Sequence, residues 1–71
     1  MLNAEAIIRA LRKAGFVVVR QKGSHVFLRN ITDPTRFATV PCHSRDVARR
    51  DLASILRQAR LSVEKFLEFL K

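Results

Sequence analysis

The residues that can do chemistry in this chain gather around one histidine. His25 directly follows Lys22-Gly23-Ser24, and Phe27 and Arg29 come after it at intervals of two. An imidazole has an ordinary pKa of about 6.5, so both its protonation states exist near neutral pH and it can accept a proton from one oxygen and return it to another. A guanidinium binds phosphate, an aromatic ring stacks on a base, and a neutral imidazole can deprotonate the 2′-hydroxyl of RNA. Gly23 has no Cβ, which lets backbone N–H groups approach a phosphate closely; the simpler account is a hairpin turn that needs positive φ. Lys22 and Ser24 are phosphate ligands on the first account and solvated turn residues on the second.

The other imidazole, His43, lies in a basic segment after Pro41 and just before Arg45. It is either an acid–base group or a loop residue that hydrogen-bonds or contacts substrate. Cys42 has no evident carboxylate or amide partner that would activate it as a nucleophile. Adjacent Cys42 and His43 plus the remote His25 match none of the usual zinc spacings. No glycine-rich nucleotide loop, metalloprotease motif or serine-hydrolase elbow occurs. Neither a metal nor a cofactor is expected.

These side chains need a scaffold. Ala4, Ile7, Ile8, Leu11 and Ala14 recur at helical spacing opposite Arg9, Arg12 and Lys13. Asn3 is suited to cap this helix, and Gly15 to end it in the left-handed conformation. Phe16 to Arg20 concentrates β-branched and aromatic residues and reads as a strand. Lys22-Gly23-Ser24 reads as a tight turn, His25 to Arg29 as a second strand, and Arg36 to Val40 as a third that Pro41 should end. Asp51 is expected to cap a helix with the apolar face Leu52, Ile55, Leu56 and Ala59, with Ser44 as an alternative cap. Ser62 can cap a last short helix, with Leu61 and Phe66 as a hydrophobic staple and Val63, Phe66, Leu67 and Leu70 as its apolar stripe.

The expected architecture is α+β: a helix, a three-stranded antiparallel sheet, a helix and a short C-terminal helix, with helices on one sheet face and the other face open. Strand side chains alternate between faces. If Val26 and Leu28 point into the core, His25, Phe27 and Arg29 share the open face; the opposite register buries Phe27 and makes His25 a structural residue.

A chain of 71 residues is expected to form one domain over residues 1–71. Fourteen Lys and Arg against six Asp and Glu give a formal net charge of +8. That field attracts polyanions, nucleic acid first, since neutralising phosphates releases condensed counterions. A peripheral membrane anchor needs a broad exposed apolar helix face, and these helices need theirs for a core. The lone cysteine, the lack of a signal-like apolar N-terminus and the lack of any membrane-spanning run point to the cytoplasm.

Several of these segments in order resemble the HicA family of toxin–antitoxin ribonucleases. They are Lys13-Ala14-Gly15-Phe16, Arg20-Gln21-Lys22-Gly23-Ser24-His25 with Phe27, Thr39-Val40-Pro41-Cys42-His43, and Leu52-Ala53-Ser54-Ile55-Leu56-Arg57-Gln58-Ala59. The resemblance implies a double-stranded-RNA-binding-domain-like α-β-β-β-α fold and a metal-independent endoribonuclease, an mRNA interferase acting in stress response. It makes His25 the catalytic residue and carries the family glycine onto Gly23. It also implies a HicB-like antitoxin that covers the active surface within a higher-order complex. Arg20, Lys22, Ser24, Phe27, Arg29, His43 and Arg45 are then candidates to bind RNA or stabilise its charge. Arg50-Asp51 stands where a Gly-Thr pair commonly opens the second helix, Arg60 replaces a frequent glycine, and Val26 replaces a second histidine often found there. A non-catalytic RNA-binding module of the same fold is the alternative, because fold alone does not imply chemistry.

Overall fold

A computed structural model describes residues 2–42 and 46–71. The expectations placed on His43, Ser44 and Arg45 lie outside the described residues. A two-residue strand, β1 (Leu2–Asn3), leads into α1 (Ala4–Lys13). Asn3 Oδ1 accepts the Ala6 N–H at 2.8 Å, satisfying one of the amides a helix start leaves unpaired. Gly15, at φ +98°, turns the chain out of the helix.

The sheet follows: β2 (Phe16–Lys22), β3 (His25–Asn30) and β4 (Phe37–Pro41), antiparallel and in the order β2-β3-β4. Gly23 turns the first hairpin at φ +57°, a conformation that disfavours residues with a Cβ. After β3, the buried Asn30 side chain organises the loop, its Oδ1 accepting from Thr32 N–H, Thr32 Oγ1 and Asp33 N–H at 2.9–3.0 Å.

The chain then forms β5 (Asp46–Val47), which pairs with β1, followed by α2 (Arg49–Ala59) and α3 (Val63–Leu70). Asp51 does not cap α2. The helix starts two residues earlier, Ala48 occupies the N-cap without a side-chain hydrogen bond, and Asp51 sits in the first turn. Leu2 pairs with Val47 immediately upstream, so tertiary pairing directs the chain into this helix. Asp51 still faces the positive end of the helix dipole. Ser62 caps α3 through Lys65 N–H at 3.1 Å, as its position suggests.

The helices bury Ile7 and Leu11 of α1, Ile55, Leu56 and Ala59 of α2 and Phe66 of α3 against Phe16, Val26, Leu28, Ala38 and Val40 of the sheet. Full burial of Phe66 contributes roughly 1.5–3 kcal/mol. The α3 stripe is narrower than its spacing suggests. Phe66 is buried and Leu70 packs against the core with Phe69, whereas Val63 and Leu67 are exposed. α2 packs on β4, at one edge of the sheet. Among the described residues, no helix is long and apolar enough to cross a membrane.

Candidate functional site

Burial settles the register of β3. Val26 and Leu28 are buried while His25 and Arg29 are exposed and Phe27 is half-buried, so His25, Phe27 and Arg29 share the face turned away from the core. Pairing extends that face in rows. Lys22, His25 and Pro41 are cross-strand neighbours, as are Arg20, Phe27 and Thr39, and then Val17, Arg29 and Phe37.

The basic residues of β2 reach this face through a register shift between Val18 and Arg20. Strict alternation from the buried Phe16 would send Arg20 and Lys22 toward the helices. Val19 is the extra residue of a β-bulge, and every side chain after it changes face. Arg20 thus lies opposite Phe27, its guanidinium carbon 5.8 Å from the ring centroid, and Lys22 lies opposite His25. The rings of His25 and Phe27 are 6.4 Å apart and tilted by 32°. Imidazole, ammonium, guanidinium and aromatic face therefore occupy one exposed surface. His25 is exposed, and no described residue hydrogen-bonds its side chain.

At Gly23 a Cβ would meet nothing within 4 Å, so the turn conformation, not crowding, accounts for glycine there. Ser24 is half-buried and its backbone carbonyl accepts the Cys42 N–H, tying the hairpin turn to the end of β4. Cys42 is half-buried and its thiol donates to the Val40 carbonyl at 3.6 Å. Burial raises its pKa, which keeps it protonated and poorly nucleophilic. Among the described residues, no group of three or more His, Cys, Asp or Glu side chains can hold a metal ion.

The site has a second wall that sequence reading did not assign to it. An open pocket of about 290 Å³ lies between the sheet and α2, lined among the described residues by His25, Thr39, Pro41, Asp51, Ser54 and Gln58. Thr39 N–H, on the edge strand, donates to Gln58 Oε1 at 3.0 Å and ties the two walls together. The available signal was helical spacing: residues 51, 54 and 58 form a polar stripe beside the apolar Ile55, Leu56 and Ala59.

A family model described as the HicA toxin of bacterial toxin–antitoxin matches residues 4–61. The match spans α1, all three strands of the larger sheet and α2, and so both walls of the pocket. No curated protein matches the chain.

Proposed function

The chain belongs to the HicA toxin family, the toxin half of a toxin–antitoxin system whose other half is an antitoxin partner, and from that premise we propose that it is an endoribonuclease that inactivates mRNA with His25 as its acid–base residue. The observation that carries the proposal is the exposed His25 imidazole, at the edge of a pocket and beside Lys22 on a face that also holds Arg20, Phe27 and Arg29.

In the proposed reaction, neutral His25 takes the 2′-hydroxyl proton. The 2′-oxygen bonds to the adjacent phosphorus, the bond from phosphorus to the 5′-oxygen breaks, and Lys22, His43 or water protonates the departing oxygen. Lys22 and the backbone N–H at Gly23 stabilise the charge developing on the phosphoryl oxygens. Arg20, Arg29, Ser24 and Arg45 hold neighbouring phosphates, and Phe27 stacks on a base. No metal or cofactor takes part. The HicB-like antitoxin inhibits by covering the same face, where the exposed Phe37 and Val17 flank Arg29.

The test is cleavage of a defined RNA in chelator by wild type and His25→Ala, with a 2′-deoxy substrate as control. The variant should fold normally and lose about 10²–10⁴-fold in rate, the range typical of acid–base catalysis. The 2′-deoxy substrate should remain intact. An undiminished His25→Ala rate would remove this mechanism, and RNA that is bound but never cut would establish the non-catalytic binding module instead.

A further inference from the structure

Asp51, Ser54 and Gln58 come from one side of α2 and line the pocket opposite His25, Thr39 and Pro41. The Gln58 amide has a defined orientation. A backbone N–H can donate only to the amide oxygen, so the Thr39 contact at 3.0 Å leaves the Nε2 hydrogens available to a ligand. Asp51, ionised, offers two acceptor oxygens, and Ser54 offers a hydroxyl that either donates or accepts.

Charge divides the site. Arg20, Lys22 and Arg29 lie on the sheet, whereas among the described residues of α2 that line the pocket the charged one is Asp51, with Arg49, Arg50 and Arg57 elsewhere on the helix. A phosphate is attracted to the cations of the sheet, and the Asp51 carboxylate opposes it inside the pocket. The helix wall is therefore suited to a nucleobase whose edge donates hydrogen bonds. Guanine presents two adjacent donors, N1–H and the N2 amino group, which match the two oxygens of one carboxylate, and next to them O6, an acceptor for Ser54 or the Gln58 amide. Adenine and cytosine place a single amino group beside an acceptor nitrogen. Uracil flanks its one N–H with two carbonyls that a carboxylate repels. The pocket's 290 Å³ accommodates one purine.

We infer that this pocket is a guanine-reading subsite, with Asp51 as its specificity-determining residue; its relation to the cleaved bond rests on the ribonuclease reading above. Two measurements test it. The first is equilibrium binding of the 3′-monophosphates of guanosine, adenosine, cytidine and uridine to wild type, Asp51→Asn and Ser54→Ala, each checked for folding by circular dichroism. The second is cleavage of RNAs that differ only in one base.

Guanosine monophosphate should bind about 5- to 100-fold more tightly than the other three, the span of one well-placed bidentate base contact. Asp51→Asn should shrink that preference to a few-fold, and Ser54→Ala should reduce it by a smaller factor. Should Asp51→Asn fail to fold, the Ser54→Ala result decides. Equal binding of the four nucleotides, or a preference unchanged in both variants, overturns the inference. Cleavage without base preference removes the subsite and leaves the ribonuclease reading standing; guanosine-selective binding that depends on Asp51, in a protein that cuts no RNA, does the reverse.

Discussion

Thr39 and Gln58 are joined across the edge of the sheet: the Thr39 backbone N–H, which has no further strand to pair with, donates to Gln58 Oε1 at 3.0 Å. A side chain on α2 thereby satisfies an edge amide of β4 and ties the helix to the strand beside His25. Gln58→Ala should cost about 1 kcal/mol, the net worth of one such bond when the half-buried amide can rehydrate. Gln58→Glu retains an oxygen for Thr39 and should cost less. Urea unfolding of the two variants checks the order, and an alanine variant as stable as wild type would show that packing alone sets α2.

RNA affinity should fall steeply with salt. The motive is the net charge of +8, with Arg20, Lys22 and Arg29 on one face. Each phosphate contact on a single strand should add roughly −0.7 to the slope of log affinity against log salt. Arg29→Ala should make the slope shallower by about that amount while leaving the fold intact, because its side chain is exposed. Fluorescence anisotropy at several salt concentrations measures both, and a flat response would exclude phosphate-dominated binding.

Much of the scaffold was legible because its signals are local. Asn3 and Ser62 cap the helices to which they are adjacent in sequence, Gly15 and Gly23 adopt positive φ, and alternation along β3 places His25, Phe27 and Arg29 together. What was not legible depends on contacts distant in sequence. The start of α2 follows from Leu2 pairing with Val47, so Asp51 falls inside the helix it was expected to cap. The Val19 bulge reverses the faces of Arg20 and Lys22, and no residue type announces it. Asp51, Ser54 and Gln58 join the site only because α2 packs at the β4 edge, a choice of neighbour that helical periodicity does not specify.

Arg60 ends α2 in the left-handed region, at φ 54° and ψ 44°, a conformation that favours glycine. Its guanidinium donates to Asp33 Oδ2 at 3.0 Å and to Thr35 Oγ1 at 2.5 Å. An exposed ion pair of this kind is weak, of the same order as the roughly 1 kcal/mol that the left-handed conformation costs a residue with a Cβ. Arg60→Gly removes both effects and should lie within about 0.5 kcal/mol of wild type. Arg60→Ala loses the pair and keeps the backbone cost, so it should be the less stable variant by about 1 kcal/mol. Thermal melts that put Arg60→Gly well below wild type would show that the ion pair outweighs the backbone conformation.

The same corner should set an acid limit on stability. The Asp33 carboxyl is held below its ordinary value of 3.8, chiefly by the Thr35 hydroxyl and next by the Thr35 N–H; desolvation opposes them, and the charges of Arg60 and Arg36 add smaller lowering effects. A carboxyl whose pKa is lower folded than unfolded binds fewer protons in the native state. Its contribution is therefore fully present above the ordinary value and is lost as pH falls through the lowered one. Asp33→Asn cannot titrate, so between neutral pH and about pH 2 its stability should decline less than that of wild type, while its stability at neutral pH should be slightly lower. Arg60→Ala leaves the Thr35 contacts in place and should keep most of the acid dependence. Urea midpoints measured across that range for the three proteins test the assignment, and an Asp33→Asn curve parallel to wild type would place the acid-sensitive group elsewhere.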